Sequence, residues 1–136
     1  MNKNPEIFTF LTIGESAIGY ISVSENQKDI PFNVKRVFWA YYTPHHVIRG
    51  NHAHFQTEMV LLATSGIIEV ETETIEGKKD SFILNQPDQG LFLPKLCWHR
   101  MKYSHNAVQL VLASELYDES DYIRDYFDFE KLKNGI

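Results

Sequence analysis

Arg49-Gly50-Asn51-His52-Ala53-His54 is the stretch on which the reading of this chain turns. Alternate residues of a β-strand share a face, so His52 and His54 project the same way as Gly50, the two histidines about 7 Å apart at ~3.3 Å per residue. One small volume then holds two imidazoles. Two chemistries use such a pair: metal ligation by neutral imidazole, and proton transfer by a group whose ordinary pKa lies near neutrality. The bland alternative is two histidines exposed on a sheet face.

Outward from this stretch the chain reads as many short strands. Apolar or alternating segments recur at residues 7–13, 19–23, 34–42, 50–54, 59–63, 67–74, 80–84, 90–93 and 107–113, with turn residues between them. Ile67-Ile68-Glu69-Val70-Glu71-Thr72-Glu73-Thr74 is rich in β-branched residues, and the polar, Gly-containing turn Glu76-Gly77-Lys78-Lys79 leads into the next strand as a hairpin. Only the tail differs. Residues 120–132 mix charges with Tyr122, Ile123, Tyr126, Phe127, Phe129 and Leu132 at roughly helical spacing, which predicts a short helix or two packed on the sheets. An all-β body of this kind closes its sheets into a barrel or sandwich to avoid long exposed edges.

A chain of 136 residues has room for one domain with one core. The expected layout is a single domain over residues 1–136, with a barrel at about 7–114 and a helical tail at about 115–136. A formal net charge of −5 argues against a nucleic-acid partner, since nonspecific phosphate-backbone binding rests on clustered Lys and Arg. A small phosphate-bearing ligand held by a few well-placed arginines stays open. The longest apolar runs, 59–63 and 108–113, fall well short of membrane-spanning length. The opening Met-Asn-Lys-Asn-Pro-Glu lacks the order of a secretory signal, and a lone Cys97 has no internal disulfide partner; both lead to the expectation of a cytoplasmic protein.

Residues 50–54 resemble the first motif of the cupin superfamily, a Gly-led H-x-H, and Pro94-Lys95-Leu96-Cys97-Trp98-His99 resembles the second. The resemblance implies an all-β cupin, a double-stranded β-helix or jelly-roll barrel. Counting back from the turn at Gly66, the position that carries the ligand Glu in metal-binding cupins is Met59, while Glu58 falls one residue away on the opposite face. A thioether suits the usual cupin metals poorly, although His52, His54 and His99 could still form a three-histidine site.

A narrower resemblance covers residues 7–129. Ile30-Pro31-Phe32-Asn33-Val34-Lys35-Arg36-Val37-Phe38, the H-x-H stretch, Trp98-His99 and the closing run Leu112-Ala113-Ser114-Glu115-Leu116-Tyr117-Asp118-Glu119-Ser120-Asp121-Tyr122-Ile123-Arg124 look like the small cupins that act as 3,4-ketoisomerases on TDP-4-keto-6-deoxyglucose. This resemblance implies a cofactor-free and metal-free isomerase, a homodimer with exchanged N-terminal strands, and a role in making amino sugars for bacterial surface glycans. His52 and His54 become the acid/base pair. Arg49 is the candidate for the pyrophosphate, and His99, Trp39, Tyr41, Asn51, Gln109, Tyr122 and Arg124 are further candidate substrate contacts.

Three departures set the chain apart from those relatives: Met59 replaces a common Gln, Ile18 replaces the Arg of an Arg-Gly pair, and Phe38-Trp39 replaces tyrosines. Gln109, an isolated polar residue in an apolar run, would restore the missing amide if it points inward near Met59. The competing functions are a noncatalytic nucleotide-sugar-binding cupin and a metal-dependent cupin.

Overall fold

The computed structural model describes residues 4–135; the first three residues and the last one of the expected domain lie outside the described residues. Its framework is two antiparallel five-stranded sheets. The first has the order β1 (Glu6–Thr9), β9 (Gln89–Leu93), β6 (Met59–Ser65), β11 (Val108–Ala113), β4 (Arg36–Ala40). The second runs β12 (Tyr122–Ile123), β5 (Ile48–His54), β10 (Cys97–Tyr103), β7 (Ile68–Thr74), β8 (Lys79–Leu84). A separate hairpin joins β2 (Leu11–Glu15) to β3 (Gly19–Val23).

The inner faces of both sheets supply one core: Met59, Leu61 and Ala63 from β6 and Val111 and Ala113 from β11 pack with Ile68, Val70, Leu84 and Met101 of the opposite sheet. Burying a side chain of the Val, Leu or Met type stabilises the fold by roughly 1.5–3 kcal/mol, and the period-2 pattern of β7 and β10 turns Ile68, Val70 and Met101 inward on the same faces as Thr72, Thr74, Cys97, His99 and Tyr103. The outer face of the first sheet is covered by Phe10, Ile30 and Phe32 against Val60, Leu62 and Phe92. The outer face of the second is covered by helix α1 (Tyr126–Lys133), whose Phe129 packs on Ala53, Trp98 and Ile123. Sheets covered on both sides explain why β6 reads as a continuous apolar run. The cupin-type jelly-roll architecture and the C-terminal helical segment expected from sequence are present, with the sheet edges left open.

Three local differences have simple physical causes. The predicted strand at 7–13 splits at Phe10, whose backbone N–H donates to the Asp88 carbonyl while its ring packs into the cluster on the outer face of the first sheet. Cys97–Tyr103 is a full strand that the sequence segments omit; its inward Cys97, His99, Met101 and Tyr103 alternate with Arg100 and Lys102. The tail begins as a 3-10 turn at Glu119–Asp121 and a strand, and becomes α-helical only from Tyr126, where the Asp125 side chain caps the helix by accepting from the Phe127 N–H. That first part is extended because Asp121 is tied to the turn after β5: its carboxylate accepts from the backbone N–H groups of Gln56 and Thr57 and from the Thr57 hydroxyl.

Candidate active site

The centre of the second sheet is irregular where the H-x-H stretch crosses it. On β5, His52 lies opposite His99, and Gly50 opposite Arg100, so Asn51 is an extra residue and the pair carries a β-bulge. Gly50 and Asn51 both have left-handed backbones, with φ of 88° and 57°. A Cβ at residue 50 would sit 2.9 Å from the His99 carbonyl oxygen, so only glycine fits. The bulge adds to the simple alternation drawn from sequence. Gly50 lines the cavity with His52 as the alternation expects, and Arg49, paired with inward-facing Met101, joins them.

That cavity, about 420 Å³, opens between the sheets and brings together His52, His54, His99, Arg49, Gln109, Tyr122 and Arg124. Ring centroids are 4.9 Å apart for His52 and His54 and 4.7 Å for His52 and His99. His52 and His99 each use Nδ1 on a backbone carbonyl, that of Gly50 and that of Cys97, both at 3.1 Å. An Nδ1–H donor there leaves Nε2 with its lone pair free. His54 Nε2 is buried and has no hydrogen-bond partner among the described residues.

Burial is the main reason all three imidazoles resist protonation. It lowers the pKa of His52, pushes His99 well below its usual value, and with the added repulsion of His52, Arg36 and Arg124 brings His54 down to about 3. At neutral pH the cluster is a set of neutral bases. His52 is the least enclosed of the three, and the Glu119 carboxylate partly offsets its desolvation.

The tail forms one wall. Tyr122 pairs with His54 across β12 and β5, its ring 4.4 Å from His54 and 5.0 Å from His52. Arg124 lies over the Tyr122 ring at 4.2 Å and is clamped by Glu119, Nε to Oε1 at 2.6 Å and Nη2 to Oε2 at 3.0 Å. Arg124 is therefore already paired, whereas Arg49 makes no ion pair among the described residues.

Gln109 faces inward at 2 % exposure and lines the same cavity as Met59, but its partner on β6 is Ala63 while that of Met59 on β11 is Ala113, so it sits further along the cavity rather than beside residue 59. Its Oε1 accepts a hydrogen bond from the Tyr103 hydroxyl, and its Nε2 is buried without a partner. On β4, the pairing of Ala40 with Gln109 and of Phe38 with Val111 turns those two residues inward. Trp39 and Tyr41 also line the cavity, as expected of them, but at its rim, 59 % and 55 % exposed. Asn51 is not brought to the cavity. Its side chain lines a separate cleft of about 690 Å³ outside the second sheet, among Glu71, Lys79, Asp80 and Arg100, where there is no imidazole.

Residues missed in the sequence are Tyr103 and Arg36. Arg36 lies over the Phe38 and Tyr117 rings with a buried, unpartnered Nε, and its charge reaches His54. The alternation of residues 97–103 was a legible signal for Tyr103; nothing in the sequence pattern singles out Arg36. Glu58 does not line the cavity; its backbone N–H donates to Ser114 Oγ. Among the described residues no group of three or more His, Cys, Asp or Glu side chains is arranged to hold a metal ion.

Residues 3–134 match the family described as FdtA: WxcM-like, C-terminal. The chain belongs to this family of sugar 3,4-ketoisomerases. It is 37% identical to the TDP-4-oxo-6-deoxy-alpha-D-glucose-3,4-oxoisomerase of Aneurinibacillus thermoaerophilus over 128 residues, 93% of this chain and 90% of that one. A crystal structure of a 3,4-ketoisomerase from Helicobacter canadensis superposes with a TM-score of 0.91 at 37% identity, covering 98% of this chain and 99% of that one. A mutant 3,4-ketoisomerase from Thermoanaerobacterium thermosaccharolyticum in complex with TDP-4-keto-6-deoxyglucose superposes with a TM-score of 0.90 at 32% identity, covering 98% and 97%. Like these relatives, the family member described here is an isomerase.

Proposed function

We propose that this isomerase converts TDP-4-keto-6-deoxyglucose to its 3-keto isomer by histidine-mediated proton transfer. The observation that carries the reading is the cluster of neutral His52, His54 and His99 in one cavity with the Arg49 guanidinium and the Gln109 Nε2, which has no partner among the described residues. The chemistry asks for little more. A base takes the proton from C3, the C–H electron pair becomes the C3–C4 double bond, and the carbonyl pair moves onto the C4 oxygen as an enediolate. The C3 hydroxyl proton passes to the C4 oxygen, a ketone forms at C3, and a proton is delivered to C4.

His52 is the base: its Nε2 lone pair faces the cavity, and it is more exposed than His54, whose pKa of about 3 makes it the weaker acceptor. His54 is the second proton carrier. Gln109 Nε2 donates to the sugar oxygen that gains charge. Arg49 holds the pyrophosphate, and the aromatic rim of Trp39 and Tyr41 borders the nucleotide. A 3-keto sugar nucleotide is a substrate for transamination, which places the product on a route to amino sugars of surface glycans.

We also propose a homodimer. The β2–β3 hairpin pairs with no other strand among the described residues and exposes Leu11, Ile13, Tyr20 and Ile21, while β4 keeps one free edge.

The test is incubation with TDP-4-keto-6-deoxyglucose in D₂O followed by NMR. A 3-keto product with deuterium at C4, absent with the His52/His54 double replacement, supports the reading. Ligand binding without exchange above that control makes the protein a nucleotide-sugar-binding cupin instead.

A further inference from the structure

The Tyr103–Gln109 contact spans the cavity from one sheet to the other, since β10 belongs to the second sheet and β11 to the first. Both side chains are 2 % exposed, and both line the cavity that holds the histidines. A buried amide has two distinguishable ends, and among the described residues the hydrogen-bonding group that reaches this one is the Tyr103 hydroxyl. As a donor it claims Oε1, and the opposite end, Nε2, is left buried with no partner among the described residues. Folded proteins satisfy the great majority of such groups, so an amide fixed with its donor unpaired is a site waiting for an acceptor. Burial pushes the Tyr103 hydroxyl up to about 12, which keeps it protonated, and hence a donor, over any working pH.

We propose that Tyr103 is a positioning residue: by donating to Gln109 Oε1 it turns the Gln109 Nε2 donor into the cavity, toward the sugar oxygen on which charge develops. The inference rests on the ketoisomerase reading. Tyr103 does not itself touch the reacting atoms. Its effect runs through Gln109, and it appears in the rate of the enediolate-forming step while nucleotide affinity stays unchanged, because the nucleotide is held at Arg49 and the rim.

The experiment compares the wild-type chain, Tyr103→Phe, Gln109→Met and the double variant, measuring kcat and KM with TDP-4-keto-6-deoxyglucose and the dissociation constant of TDP. Loss of a single oxyanion donor lowers kcat by roughly 100-fold or more, so Gln109→Met falls by about that factor and Tyr103→Phe by about 10-fold, with TDP affinity within about 2-fold in both. In the Gln109→Met background Tyr103→Phe then changes kcat by less than about 2-fold, because it has nothing left to orient. If Gln109→Met does not fold, Gln109→Glu keeps an acceptor for Tyr103 and removes the donor, and it loses kcat with that contact in place. The inference is overturned if Tyr103→Phe retains wild-type kcat, or if it costs the same factor in both backgrounds, the pattern of a packing residue. A wild-type chain that binds TDP but leaves the keto sugar unchanged sinks the ketoisomerase reading itself, an outcome separate from an active enzyme with uncoupled variants.

Discussion

Lowering the pH from 7 to 5 protonates His54 in the unfolded chain and leaves it neutral in the folded one. The unfolded imidazole has its ordinary pKa of 6.5, and the folded one, buried beside His52, Arg36 and Arg124, has a pKa of about 3. Below 6.5 the unfolded state binds the extra proton, so stability falls as pH drops and goes on falling until about 3. Each pH unit in that window is worth about 1.4 kcal/mol, which makes the loss from this one group ~2 kcal/mol at pH 5. His52 and His99 shift in the same direction and add to the slope. Urea denaturation at the two pH values, on the wild-type chain and on His54→Gln, isolates the contribution, since glutamine does not titrate. The variant should lose ~2 kcal/mol less than the wild type on acidification. Equal losses in the two proteins would refute the burial argument for His54.

Two further outcomes follow from the geometry of β5. Gly50→Ala forces a Cβ to within 2.9 Å of the His99 carbonyl at a φ of 88°; it should destabilise the fold by about 1–3 kcal/mol and lower kcat further by displacing His52, as read by thermal denaturation and steady-state assay. Arg49→Ala removes a cavity cation that has no ion pair among the described residues and should weaken TDP binding by roughly 10- to 100-fold, the worth of a charge-assisted hydrogen bond, with kcat nearly unchanged; calorimetric titration with TDP measures it.

Much of this site could be read along the chain, because strand alternation is local. Two histidines at i and i+2 reach one volume in any strand, and the second motif brings His99 opposite His52. Gln109 was visible as a polar break in an apolar run, but its direction was open in the sequence and only the structure turns it inward. The bulge was not legible: it depends on Gly50 and Asn51 both adopting left-handed backbones against β10, a property of the pair of strands. That single extra residue brings Arg49 to the cavity beside Gly50 and sends Asn51 to the other side. Tyr103 and Gln109 meet across two sheets, which no periodicity encodes. In the tail, the charge pattern read as helix until Asp121 found the N–H groups of Gln56 and Thr57, a tertiary contact that overrides local spacing.

The central claim is that His52 takes the proton from C3. Substrate carrying deuterium at C3, turned over in H₂O by the wild-type chain and by His52→Asn, tests it most directly. The account predicts loss of the C3 label in the wild type at the rate of 3-keto product formation. With His52→Asn it predicts label retained by a protein that still binds TDP. Release of the label at wild-type rate by His52→Asn would contradict it.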